Sequence, residues 1–229
     1  MKCKVIVFPG SNCDHDCYHV IDSIYKMQVE YAWHKDSSLN SCDLIILPGG
    51  FSYGDYLRCG SIARFSPIMN EVIAYAKKGV SIIGICNGFQ ILLEAGLLPG
   101  AMLRNKTLQF ICKSVFLKTH NFNTPFTNSI PHNAVLSIPI AHGEGNYYCS
   151  DEILKELQEG DRIIFQYCSE KGEINEEFNP NGSLKNIAGV TNKKGNVLGM
   201  MPHPERASEA IVDSVDGKYV FKSIINSIL

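Results

Sequence analysis

The sequence predicts an α/β fold: an open, mostly parallel (mixed) sheet flanked by helices in three layers. Three observations lead there. Short apolar runs of β type alternate with segments of helical period through the first half of the chain. Each run stops at Gly, Pro or polar residues. One Gly-x-Cys-x-Gly turn, Gly84-Ile85-Cys86-Asn87-Gly88, stands between an apolar run and a helical pattern. Strands that alternate with helices build a largely parallel sheet covered on both faces, with its ligand site beyond the carboxyl ends of the strands.

Along the chain, residues 5–8, 29–33, 44–47 and 80–85 read as buried strands. Residues 14–27 carry Val20, Ile21, Ile24 and Met27 at helical spacing, and 67–78 carry Ile68, Val72, Ile73 and Ala76, with Gly79 as the stop. The second half is richer in β and turn signals. Strands are expected over 110–117, 134–140, 162–168, 187–191 and 197–201, and helices over 151–157 and 218–229. Residues 175–182, dense in Asn, Glu, Pro and Gly, read as a surface loop. No repeat or linker divides the chain, so 1–229 is expected to be a single domain.

Composition narrows the function class. The 21 basic and 23 acidic residues leave a formal charge of −2, with no block of like sign. Neither nucleic acid nor an anionic membrane is expected as the main partner. Residues 1–8 contain too short an apolar stretch for a signal peptide and read as a strand. Together with nine cysteines, an odd number, this points to a cytoplasmic protein with reduced thiols.

The glycine-flanked cysteine has the form of a nucleophile elbow. Such a turn holds the nucleophile in a strained conformation at a strand tip, and the flanking glycines avoid collisions a Cβ would cause. The helix that follows offers its partial positive charge to a thiolate. A thiol still needs a base. Pro202-His203-Pro204-Glu205 follows the last strong strand, and its prolines suggest an extended backbone, in which His203 and Glu205 point the same way. A carboxylate beside an imidazole fixes its tautomer and supports the imidazolium. An isolated His-x-Glu is usually an incidental pair; joined to the elbow, it becomes a candidate catalytic set.

Cys86 in Gly-Ile-Cys-Asn-Gly-Phe-Gln, with His203 and Glu205 in Pro-His-Pro-Glu-Arg, resembles the triad-type (class I) glutamine amidotransferases. Further segments resemble one branch of that family, the glutaminase subunits of phosphoribosylformylglycinamidine synthases. They are residues 8–14 (Phe-Pro-Gly-Ser-Asn-Cys-Asp), 48–58 (Pro-Gly-Gly-Phe-Ser-Tyr-Gly-Asp-Tyr-Leu-Arg), 139–145 (Pro-Ile-Ala-His-Gly-Glu-Gly) and 179–183 (Asn-Pro-Asn-Gly-Ser). The resemblance covers essentially the whole chain. It implies a flavodoxin-like fold and a thioester route from glutamine to glutamate and ammonia, with Cys86 as nucleophile, His203 as base and Glu205 as its orienting carboxylate. It further implies an oxyanion hole from the Asn87 and Gly50 amides, and a glutamine pocket involving Gly49 and Gln90.

The chain has no phosphate-binding loop and no carboxylate cluster at metal-ligand spacing, so no cofactor or metal is expected in it. The resemblance implies a separate synthetase subunit that uses ATP and magnesium, often with a small accessory subunit, and ammonia passed between them. The loops at 51–56 and 142–145 are candidates either for that interface or simply for shaping the pocket. Other readings are a glutaminase subunit of the histidine, pyridoxal phosphate or guanylate synthases, a cysteine peptidase or stress-response hydrolase, or a non-catalytic regulatory subunit.

Two further features are expected to be ordinary. Cys13, His15, Cys17 and His19 are crowded, but their spacing fits no standard zinc motif and a helix starting there would splay them. Cys42, Cys59, Cys112, Cys149 and Cys168 read as packed or semi-exposed thiols, and His34, His120 and His132 as solvated. Phe165 and Tyr167, alternating along a strand, read as packing.

Overall fold

Val5, Ile6, Leu44–Leu47 and Ile82–Ile85 are apolar without interruption because their strands are covered on both faces. The computed structural model describes residues 1–55 and 59–229; Tyr56, Leu57 and Arg58 of the 48–58 segment lie outside the described residues. In chain order the elements are β1 (Lys2–Val7), α1 (Asp14–His19), β2 (Gln28–Trp33), β3 (Leu44–Leu47), α2 (Cys59–Ala63), α3 (Ile68–Lys78), β4 (Ser81–Ile85) and α4 (Asn87–Glu94). There follow β5 (Ala101–Leu103), β6 (Ile111–Thr119), β7 (Val135–His142), β8 (Asn146–Tyr148), α5 (Asp151–Glu159), β9 (Ile163–Cys168), β10 (Ile187–Thr191), β11 (Val197–Met200) and α6 (Lys218–Ile228).

Among the described residues, nine strands form one sheet in the order β2-β1-β3-β4-β11-β10-β9-β6-β7. From β2 to β11 neighbouring strands run parallel, and from β11 outward every pairing is antiparallel. The sheet is thus mixed, with its parallel strands gathered in the half that the early α/β alternation builds. Burial follows this division: β3 and β4 are buried at every residue, whereas edge strand β7 alternates between half-buried and buried.

Local signals explain most boundaries. Gly79 caps α3 in the left-handed conformation (φ 94°), as its position after Lys77-Lys78 suggests. Ser150 caps α5 by accepting the Ile153 amide. The helical pattern over 14–27 departs from a uniform helix: α1 gives way to a wider π-type turn, Val20–Ile24, where the consecutive Val20 and Ile21 are both fully buried. The ribbon of β5 and β8 is too short to show a period in the sequence. Phe165 and Tyr167 are fully buried, as packing residues should be. Among the described residues, no helix is long and apolar enough to cross a membrane.

β1 lies between β2 and β3, so the chain reverses direction across the sheet there. At such a switch point the loops after the two strands separate and leave a crevice. Here the loops are tied across it by an antiparallel bridge between Ser11 and Gly50.

Candidate active site

Cys86 follows β4 directly and stands at the start of α4 with φ 50° and ψ −104°, a combination L-residues rarely adopt. Two close approaches hold it there. A methyl on Gly88 would lie 1.9 Å from the Leu47 carbonyl oxygen, and one on Gly84 would lie 2.6 Å from the Gly88 oxygen. The glycines therefore let α4 press against the ends of β3 and β4, and the strained cysteine follows from that packing. Its backbone N–H donates to Met200 O at 2.8 Å and its thiol to Ala141 O at 3.7 Å.

β11 runs parallel to β4 with Met200 opposite Ile85, so both strands deliver their C-terminal residues to the same edge. Three residues past Met200, His203 is 2 % exposed, and its Nδ1 lies 2.7 Å from Glu205 Oε1. The route differs from the extended segment expected. His203 is extended-like (φ −100°, ψ 86°), but Pro204–Arg206 forms a 3₁₀ turn. Proline suits that first position because its missing N–H would have no partner there. The turn, rather than strand alternation, brings Glu205 to the imidazole.

Burial opposes a charged imidazole, but the Glu205 carboxylate and the neighbouring Cys86 and Cys13 sulfurs together hold the His203 pKa well above its ordinary value. With Nδ1–H directed to Glu205, the other ring nitrogen is left for a proton from the thiol. A thiol, a base and an orienting carboxylate, all buried, can form and hydrolyse a thioester.

The Gly49-Gly50 loop lies against this set. A Cβ on Gly49 would be 2.7 Å from His203 Cε1 and 3.3 Å from Cys86 Cβ. Gly50 has φ 126° and packs on Asn12, where a Cβ would be 2.5 Å from Oδ1. The adjoining bridge is held by Phe51 N–H to Gly10 O at 3.2 Å and Cys13 N–H to Gly49 O at 3.4 Å, bonds that do not use the Gly50 N–H. Asn87, next after the nucleophile, opens α4.

A family model for the CobB/CobQ-like glutamine amidotransferase domain matches residues 1–221. The chain belongs to this glutamine amidotransferase family. It is 57 % identical over 226 residues to a phosphoribosylformylglycinamidine synthase subunit PurQ of Moorella thermoacetica, covering 99 % of this chain and 96 % of that protein. It is 53 % identical over 227 residues to the PurQ subunit of Koribacter versatilis, covering 99 % of this chain and 98 % of that protein. Among solved structures, it superposes with a TM-score of 0.88 at 45 % identity on a chain of PurLQS from Thermotoga maritima, covering 100 % of this chain and 99 % of that one.

Further segments of the amidotransferase form its second wall. Asn105 Oδ1 accepts from Gly145 N–H at 3.0 Å and lies 3.1 Å from His142 Nδ1, while Asn181 Nδ2 donates to Gly145 O at 2.7 Å and to the Tyr167 hydroxyl at 3.2 Å. The 179–183 segment is thus a polar clamp on the 142–145 loop. His142 and Gly145 are buried in it, which favours a pocket-shaping role for that loop over an exposed contact. Burial, with His203 nearby, lowers the His142 pKa to about 4. Gln90 is positioned between walls: Asn87 Nδ2 donates to its Oε1 at 2.7 Å, and its Nε2 donates to Glu144 O at 2.7 Å. Asn87 Oδ1 in turn accepts from Ser52 N–H at 3.2 Å. Gln90 and Asn87 therefore link α4 to both loops that surround the cysteine.

Sequence reasoning missed Cys13. The crowded set does splay as expected, with His15 and His19 exposed and Cys17 fully buried, but Cys13 is directed to the site. Its sulfur, a His203 ring nitrogen and a Glu205 oxygen all lie within 4.8 Å of one another. α1 also braces the His203 turn through Asp16 to Arg206 at 3.0 Å and His19 to Glu209 at 2.7 Å. The only available signal was an apolar-type thiol in a Gly-Ser-Asn-Cys loop after the first strand. His34 also departs from expectation: it is 6 % exposed and lies 3.1 Å from Ser66 Oγ and 3.0 Å from the Tyr53 hydroxyl.

Proposed function

We propose that this chain is the glutaminase subunit of a phosphoribosylformylglycinamidine synthase, folded as one amidotransferase domain over 1–229. The observation that carries the chemistry is the buried His203–Glu205 pair at 2.7 Å beside the strained Cys86 elbow. Identity with PurQ subunits over nearly the whole chain supports the choice of synthase.

Cys86 Sγ attacks the glutamine side-chain amide carbon as His203 takes the thiol proton. The tetrahedral oxyanion is held by the Asn87 and Gly50 amides, each contributing roughly 3 kcal/mol. Its collapse breaks the carbon–nitrogen bond, and His203 returns the proton to departing ammonia. Water, deprotonated by His203, then hydrolyses the thioester to glutamate and regenerates the thiol. Gly49 lets imidazole and sulfur approach, and Gln90 fixes the walls of the glutamine pocket.

Ammonia goes to a synthetase subunit that binds ATP, magnesium and formylglycinamide ribonucleotide, with a small accessory subunit in the same cytoplasmic complex. This chain itself carries no cofactor in that scheme. Mixing it with the synthetase subunit tests the reading. Glutamine-dependent formation of the amidine is expected, and Cys86→Ala should abolish it while leaving ammonia-dependent synthesis intact. Glutamine turnover by Cys86→Ala at the normal rate would overturn the assignment.

A further inference from the structure

Nothing in the thioester route uses the second thiol of the site. Cys13 is 1 % exposed, follows the β1 loop, and donates to Asn12 Oδ1 at 3.6 Å. Its sulfur, a ring nitrogen of His203 and a carboxylate oxygen of Glu205 form a compact group within 4.8 Å. All three residues are at least nine-tenths buried. One donor atom of the group, Glu205 Oε2, is buried without a hydrogen-bond partner among the described residues. A buried lone pair without a partner is costly, and the thioester route supplies none for this oxygen.

We propose that Cys13, His203 and Glu205 form an inhibitory binding site for a soft divalent cation of the zinc type. The inference rests on the reading of His203 as the general base. Thiolate, imidazole and carboxylate are the donor types zinc takes, and three protein donors leave a fourth position open. Around tetrahedral zinc the donor atoms stand about 3.3–3.8 Å apart, given bonds of roughly 2.0–2.3 Å. The present group, within 4.8 Å, is about 1 Å wider than that.

Binding is balanced by loss of two protons: the Cys13 S–H bond and one His203 N–H bond break, zinc–sulfur and zinc–nitrogen bonds form, and both protons leave to solvent. Burial raises the Cys13 pKa, so the resting site holds a neutral thiol beside the catalytic histidine. Once a ring nitrogen of His203 and an oxygen of Glu205 are held by the cation, the imidazole cannot accept the Cys86 proton as an oriented base. Glutamine hydrolysis stops until a chelator removes the metal. Cys13 is then a metal-sensing thiol placed against the base rather than the nucleophile.

The test titrates zinc into the full chain against a chromophoric chelator, using wild type, Cys86→Ala, Cys13→Ala and Cys13→Ser. One zinc equivalent should bind in Cys86→Ala, and the Cys13 variants should bind it at least tenfold more weakly. In the complex with the synthetase subunit, zinc should inhibit wild-type glutaminase reversibly, and each Cys13 variant, relative to its own metal-free rate, should need at least tenfold more. Equal zinc sensitivity and affinity in the Cys13 variants would overturn the proposal, as would no binding in Cys86→Ala. Should both Cys13 variants melt before assay, ¹¹³Cd spectra of Cys86→Ala decide: a resonance in the range for one thiolate with nitrogen and oxygen supports the site, and its absence rejects it. If the wild type lacked glutaminase activity, the functional reading would fail while the chelator titration still reported on the site.

Discussion

Gly88 and Leu47 approach so closely that a methyl on the glycine would lie 1.9 Å from the leucine carbonyl oxygen. The contact joins the first turn of α4 to the end of β3, so the backbone strain at Cys86 depends on a backbone-to-backbone fit. Gly88→Ala must push helix and strand apart. A cost of about 3 kcal/mol is expected for such overpacking, lowering Tm by roughly 6–12 °C. Gly96, at φ 69° with nothing within 4 Å of an added Cβ, is the control. Gly96→Ala should cost only about 1 kcal/mol, from its left-handed backbone. Equal melting of the two variants would refute the packing account.

Gly49 leaves room for the proposed catalytic pair, His203 and Cys86. An alanine there would place its Cβ 2.7 Å from His203 Cε1 and 3.3 Å from Cys86 Cβ, and the imidazole would have to move. Misplacing a reacting group by about 1 Å costs on the order of a hundredfold in rate. Gly49→Ala should therefore lower glutaminase kcat by tenfold or more, with a smaller change in KM. Full kcat in this variant would mean that the contact does not govern the chemistry.

Glu205 raises the His203 pKa, and burial alone would depress it. In Glu205→Gln the imidazole should lose its proton at distinctly lower pH, a change measurable from the His203 Cε1 proton resonance. Stability follows the same sign. A histidine whose folded pKa is raised contributes fully below its unfolded value of about 6.5, and the contribution fades as pH rises through the folded value. Glu205→Gln should accordingly destabilise the protein more near pH 6 than near pH 10, as urea unfolding at the two values would report.

His142 acts in the opposite sense. Its folded pKa of about 4 lies below the unfolded value, so the unfolded chain takes up a proton first as pH falls. The neutral ring's advantage is complete above about pH 6.5 and is lost between there and about pH 4, by on the order of 3 kcal/mol. His142→Gln, which has no such titration, should flatten that part of the urea-stability profile. An unchanged acid slope would count against the buried neutral imidazole.

Much of the site was legible before any coordinates. The apolar run, glycine spacing and polar turn at 84–88 encode a strand, a close helix and a strained residue locally, so the elbow could be read from sequence. The same holds for Pro-His-Pro-Glu, although the turn at Pro204–Arg206 replaces the extended backbone expected there. The break in the 14–27 helix was not legible, because helical spacing alone does not distinguish an α-helix from one that widens at Val20–Ile24. Cys13 could not be assigned to the site either: its sequence neighbours are a loop and the first turn of α1, while its spatial neighbours come from the opposite end of the chain.

The sequence by itself determined the α/β character, the glycine-flanked turn at Cys86 and the candidate base and carboxylate, since each rests on period, turn chemistry or residue type within a few positions. Only the tertiary structure decided how the antiparallel half completes the site. β7 is the edge strand, five places from β4 in the sheet order, a distance of about 24 Å were the sheet flat. Yet its Ala141 oxygen accepts from the Cys86 thiol at 3.7 Å, and its Pro139 oxygen from the His203 amide at 2.8 Å. The twisted sheet must coil back over its own parallel end. That closure depends on twist summed over many strand pairs, a quantity no local pattern of residues records.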